Sequence, residues 1–186
     1  GFPGPSITKI TKRIFKPYLE VCKTTHMISI EISLRHMAWS NQLIFDEVSN
    51  LPEDIYGLRA ADGEWPVGKI LTHFINAAEW YKYCATGIDW EDAVPIKSHE
   101  ILKSEAKRLA KLDEIIVAQS DRADELCTYT DESGESSAPL SVILAQAVNH
   151  TAEHRAQLST ILKMHGYHLD LDDKDLWAFY FKNLKK

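Results

Sequence analysis

The residues best suited to chemistry are two histidines four apart, in the run Asn149-His150-Thr151-Ala152-Glu153-His154-Arg155. They interrupt a stripe formed by Leu140, Ile143, Leu144 and Ala147 before them and by Leu158, Ile161 and Leu162 after them. Its three-and-four spacing is that of the inward face of a helix. Helical residues four apart differ by about 6 Å in rise and about 40° in azimuth, so imidazoles at this spacing converge on one ion. The position after His150 is Thr151 rather than glutamate, which removes the zinc-protease reading of the motif. Two ligands make an open and weak site. A third inward imidazole is His73, three residues after Ile70 and four before Ala77 on another amphipathic segment. Three neutral imidazoles with a position left for water form the kind of site at which a divalent ion acidifies water or polarises a substrate oxygen. Spacing alone leaves packed, hydrogen-bonded structural histidines as the alternative.

Neighbouring positions divide by helical phase. Asn76 and Trp80 follow His73 by three and seven residues, close to its azimuth, and are candidates to line a pocket above an ion. Asn41 is polar on an otherwise apolar stripe, suited to orienting a ligand through a hydrogen bond or to satisfying a helix end. Glu79 is rotated away from His73 and reads as a rim or surface acid, while Arg155 and Gln157 point sideways from the histidine stripe. His165 shares the phase of His154 but lies about 16 Å further along the helix, too far for the same ion, and reads as a helix cap. His26 lies near the extension of the first-helix stripe, where it reaches a bundle end rather than the ion; His36, His99 and His168 read as surface or structural groups, and Cys84 as a structural thiol.

Four helices must position these groups. The first is expected over residues 24–50, with Leu34, Met37, Ala38, Asn41, Ile44, Phe45 and Val48 on one stripe and Leu51-Pro52 ending it. The second is expected over residues 66–85, opened by Pro66 and stopped near Gly87. A dozen residues then lead to Ser98, the N-cap of a third helix; that length suits a crossover that leaves the second and third helices parallel. Residues 126–137 are rich in Ser, Thr and Gly, with Cys127-Thr128-Tyr129-Thr130 as a short extended piece. The fourth helix opens around Ser137-Ala138-Pro139 and closes at His165-Gly166. The aromatic tail at Trp177, Phe179, Tyr180 and Phe181 is expected to form a short helix over a bundle end. Together these give an all-α reading as one domain over residues 24–186, preceded by a basic arm or short helix over residues 1–23.

Composition narrows the function classes. The chain has 186 residues, 45% of them apolar, enough for one domain with a sizeable core. Its net charge of −6 disfavours a nucleic-acid binder. Residues 6–23 carry Lys9, Lys12, Arg13, Lys16 and Lys23 against Glu20 alone, with Ile7, Ile10 and Ile14 at helical spacing. This arm reads as a solvated first helix or arm, with a basic arm for a membrane surface or an anionic partner as the functional alternative. Cys22, Cys84 and Cys127 are odd in number and widely spaced, which points away from a disulfide framework and toward a reducing compartment. With no membrane-length apolar run and no signal core, the expectation is a cytoplasmic protein without a membrane partner. The opening Gly1-Phe2-Pro3-Gly4-Pro5 is left out of the fold reasoning.

Asn149-His150-Thr151-Ala152-Glu153-His154-Arg155-Ala156-Gln157-Leu158 followed by Gly166 resembles the N-H-x-x-x-H-R-G-Q-L pattern of the DinB-like (YfiT-like) superfamily. The segment from Trp65-Pro66 to His73, followed by Glu79-Trp80, is similar to that family's second helix, and Ala38-Trp39-Ser40-Asn41 resembles its W-A-N stretch. The resemblance spans residues 24–180. It implies a four-helix bundle of DinB-like type with a long crossover connection, here with a C-terminal extension. It also implies that His73, His150 and His154 hold a divalent metal, zinc or nickel before iron or manganese. Frequent homodimers are implied too. Relatives include thiol-dependent S-transferases and an isomerase, so a small-molecule substrate, with a low-molecular-weight thiol, and metal-dependent hydrolase or transferase activity are expected. The alternative expectation is a non-enzymatic stress-response or binding protein with a structural or vestigial metal site. Ala156 replaces a frequent glycine and Glu153 a frequent histidine of the family pattern; neither removes a ligand.

Overall fold

A computed structural model describes residues 29–185. The basic arm at residues 1–23 lies outside the described residues, as does the expected helical start at residues 24–28. Four long helices make up most of the structure: α1 (Glu31–Val48), α2 (Val67–Thr86), α3 (His99–Ala118) and α4 (Leu140–Met164). A fifth, α5 (Leu176–Phe179), is a single turn continued by a π-turn over Tyr180–Leu184. No described helix is long and apolar enough to cross a membrane.

The helix limits follow their local chemistry. Pro66 occupies the N-cap of α2, and Gly87 ends it at φ 73°, donating its N–H to the Tyr83 carbonyl. At α3, the Ser98 side chain accepts from the Ile101 N–H. The predicted stripes become the core: Leu34, Met37, Ile44, Phe45 and Val48 from α1 meet Ile70, Leu71 and Phe74 from α2. Leu102, Leu109, Leu112 and Ile116 from α3 and Leu140, Leu144, Leu158 and Leu162 from α4 complete it. Phe45 and Phe74 cross edge to face at 5.7 Å.

The all-α expectation is corrected by a two-stranded antiparallel sheet between α3 and α4, β1 (Leu126–Asp131) with β2 (Gly134–Pro139). The turn closes through the Asp131 carboxylate, which accepts from the Ser133 N–H, and through Gly134 at φ 117°. Cys127 points into the core, and Thr128 and Ser137 share a cross-strand hydrogen bond. Residues 137–139, read as the opening of the fourth helix, therefore belong to β2.

α1 and α2 each pack on both α3 and α4. The connection at residues 87–98 runs back along α2: Lys82 donates to the Asp89 carbonyl, Asn76 Oδ1 accepts from the Ala93 N–H, and Thr72 Oγ1 accepts from the Ile96 N–H. α3 consequently starts beside the start of α2, with Ile96 against Gly68, and ends beside its end, where Arg122 donates to the Ala85 carbonyl. The two neighbours thus run in the same direction. Gly68 is the close-approach point: a Cβ there would lie 2.3 Å from the Ile96 carbonyl oxygen.

At the start of α1, Phe179 of α5 packs on Trp39 at 5.5 Å and on His36 at 6.0 Å, while Trp177 and Phe181 remain exposed.

Candidate metal centre

His73 sits in the second turn of α2, with His150 and His154 one turn apart on α4. Because α2 and α4 pack side by side, helical phase on both brings the three imidazoles together, half-buried, with one nitrogen from each lying within 4.8 Å of the others. The Nε2 atoms of His73 and His150 are 2.9 Å apart, and the three ring centroids are separated by 4.5 to 5.0 Å. A tetrahedral ion at about 2.0–2.1 Å from each nitrogen spaces its ligand atoms by roughly 3.3 Å, so small rotations of these rings suffice to admit one. Three convergent nitrogen donors therefore fit a divalent metal ion.

Protonation and orientation suit the same role. Burial lowers His73 from its ordinary value to about 4, with His154, His150 and Lys69 acting in the same direction. Burial also lowers His150, helped by His154 and opposed by Glu153. Both rings are thus held neutral, with lone pairs available to a metal. Gln157 Oε1 accepts from His154 Nδ1 at 2.9 Å, which leaves the Nε2 lone pair of that ring free. Trp65 stacks on His154, with 10° between the ring planes and 6.3 Å between centroids, and meets His73 edge on at 5.0 Å. Tyr81 stands edge on to His150 at 6.0 Å.

The other candidate positions separate. Asn76 lies beside a cavity of about 650 Å³ that His73 also lines, and its side-chain oxygen holds the returning chain at Ala93. Trp80 is placed elsewhere: it packs with Tyr83, Trp90 and Tyr129 at 5.6 to 5.7 Å. Seven residues preserve azimuth but add about 10 Å of rise, which removes its ring from the triad. Asn41 is buried and donates to Asp113 Oδ2 at 3.0 Å rather than to a histidine of the triad. Burial pushes the Asp113 carboxyl up to about 7, against the opposing effects of that hydrogen bond and of Arg155.

Glu79 is only 4% exposed, which corrects its reading as a rim or surface acid. It binds Lys82 and Arg108, each at 2.6 Å. Gln157, read as pointing sideways, reaches His154, and Arg155 is buried. Cys84 is a buried thiol raised by burial to about 12. His165 is the C-cap of α4, and its ring reaches the Arg59 carbonyl.

Trp65, Tyr81 and Gln157 are the site residues that phase reasoning missed. Gln157 lay three residues after His154, a spacing at which helical side chains touch.

A mostly helical fold with three histidines converging from two of its helices defines the class of protein. Comparison with protein families agrees: the DinB family model matches residues 23–177, and the chain belongs to the DinB family. Among its relatives is the protein DinB of Bacillus subtilis (strain 168), 24% identical over 159 residues that cover 79% of this chain and 92% of that protein. The crystal structure of a DinB-like protein from Bacillus cereus ATCC 10987 aligns with a TM-score of 0.57 at 19% identity. It covers 73% of this chain and 90% of that one, a likeness of fold.

Proposed function

We propose that this protein is a metal-dependent enzyme built on a four-helix bundle with a crossover, in which His73, His150 and His154 hold a divalent ion, zinc or nickel. The observation that carries this reading is the convergence of three half-buried imidazole nitrogens within 4.8 Å. A bound ion of this kind supplies Lewis acidity, lowering the pKa of a water or thiol at an open position. The chain's own residues prepare that position. Gln157 holds the proton of His154 on Nδ1, so that Nε2 faces inward as a ligand. Trp65 and Tyr81 wall the imidazoles with aromatic surface and limit water around them. The cavity lined by His73 and Asn76 provides room for a small molecule beside the triad.

The reaction class that follows is nucleophile activation, with water giving a hydrolase and a low-molecular-weight thiol giving an S-transferase. Elemental analysis of protein purified without added metal is the test. About one equivalent of zinc or nickel is expected in the unaltered protein, and loss of most of it in His150→Ala. Near-zero metal in both, with no uptake on adding zinc, contradicts the reading.

A further inference from the structure

A second cavity lies inside the bundle, between all four long helices. It is small, about 10 Å³, and most of its wall is apolar: Met37, Phe74, Leu109 and Ile116 contribute to it. Three polar side chains from three different helices also line it, Asn41 from α1, Asp113 from α3 and Thr151 from α4. Phe74 and Tyr81 are walls that it shares with the histidine centre, since their rings stand 6.2 Å from His154 and 6.0 Å from His150 between centroids.

The polar groups here are not satisfied by one another. Asn41 and Asp113 are each 1% exposed. Asn41 Nδ2 donates to Asp113 Oδ2 at 3.0 Å, and the carboxylate oxygen as acceptor fixes which end of the amide faces it. Asn41 Oδ1 is thereby turned elsewhere, and among the described residues this buried oxygen has no hydrogen-bond partner. Buried polar atoms are nearly always hydrogen-bonded, because losing water without gaining a partner is unfavourable. Thr151 donates its hydroxyl proton to the Ala147 carbonyl at 2.7 Å, so its oxygen keeps lone pairs of its own.

Size and chemistry select the occupant. A cavity of about 10 Å³ is close to the room that one water needs, and a buried water is held by two to four polar partners. An organic molecule does not fit. A wholly apolar cavity of this size stays dry, whereas this one presents the amide oxygen, the hydroxyl oxygen and the carboxyl group. The carboxyl accepts when ionised and donates when protonated, so it partners a water in either form.

We propose that this cavity is a binding site for one ordered water molecule, which donates to Asn41 Oδ1 and bonds Thr151 and Asp113, joining α1, α3 and α4 at the centre of the bundle. The site is independent of any ion at the histidines.

The test is a crystal structure of the unaltered full chain at a resolution that shows ordered solvent. A single peak is expected about 2.7–3.2 Å from Asn41 Oδ1 and within the same range of Thr151 Oγ1. Asn41→Leu, which is similar in size but lacks the acceptor, is expected to lose the peak, and Thr151→Ser, which keeps the hydroxyl, to retain it. No peak in the unaltered protein overturns the proposal, as does Asn41 Oδ1 bonded directly to Arg155 Nη1, another buried group without a partner among the described residues. A peak that persists in Asn41→Leu removes Asn41 from the site and overturns it equally. A peak that acquires an anomalous signal after a rubidium soak makes the occupant a cation and overturns the water. Should Asn41→Leu fail to fold, the density in the unaltered protein and in Thr151→Ser decides.

Discussion

Two polar clusters on α2 lie less than two turns apart and are built on opposite principles. At Glu79 every charge has its answer within the protein: both carboxylate oxygens are paired, one with Lys82 and the other with Arg108. Those cations continue to the carbonyls of Asp89, Glu91 and Asp92 on the returning segment. At His73 three imidazoles meet without any carboxylate inside the cluster, and burial lowers His73 and His150 from their ordinary values. A closed set of charges fastens the chain to itself, whereas nitrogen donors whose lone pairs converge leave a place for something else. Buried polarity alone does not mark a functional site; the direction of the unused lone pairs does.

Breaking the closed cluster should cost most. Glu79→Ala strands two cations in a poorly solvated site and is expected to lower stability by about 3 kcal/mol in urea denaturation. His150→Ala in metal-free protein should cost less than half of that, because it removes no counter-charge; equal losses would erase the distinction between the clusters. Next in size is Gly68→Ala, which drives a methyl group into the Ile96 carbonyl and is expected to cost about 2 kcal/mol while leaving the triad's residues unchanged. In the open cluster, Gln157→Leu removes the acceptor at His154 Nδ1 and is expected to weaken zinc binding about tenfold in competition with a chromogenic chelator, with little change in metal-free stability.

The smallest effect concerns pH. His73 is lowered from 6.5 to about 4, so the unfolded chain binds more protons between those values, and this group makes metal-free stability rise with pH across that window. Asp113 acts in the other direction. Raised from 3.8 to about 7, it binds its proton more tightly in the folded protein, so its contribution is present at low pH and is lost as pH rises through 7. Asp113→Asn is therefore expected to steepen the rise of stability between pH 4 and 7 and to hold it above that of the unaltered protein at pH 8. Thermal melts at fixed ionic strength across this range give the slope directly.

Helix punctuation and core faces were legible from sequence because they are local: Pro66, Gly87, Ser98 and Gly166 act within a turn, and the apolar stripes repeat every three or four residues. The triad was legible for the same reason, since His73, His150 and His154 each stood at an inward phase. Contacts that join separate elements were not. β2 reads Gly-Glu-Ser-Ser-Ala-Pro, without an apolar alternation, and becomes a strand through its pairing with β1. Glu79 has an outward phase relative to His73, and only Arg108, on another helix, shows why it is buried. Trp80 failed in the remaining dimension, because azimuth repeats along a helix while rise accumulates.

The shared direction of α2 and α3 also has an electrical consequence. Packed neighbours that run in opposite directions offset one another's peptide dipoles, whereas here two positive ends lie together, at Val67 and His99. The Glu53 carboxylate answers the end at His99, but the first turn of α2 contains no acid. α1 and α4 run the other way and bring their carboxyl ends to this same end of the bundle, where the ring of His165, the C-cap of α4, reaches the Arg59 carbonyl. Backbone ends of both signs therefore meet beside His73, and the shared direction of α2 and α3 is answered by that of the other two helices.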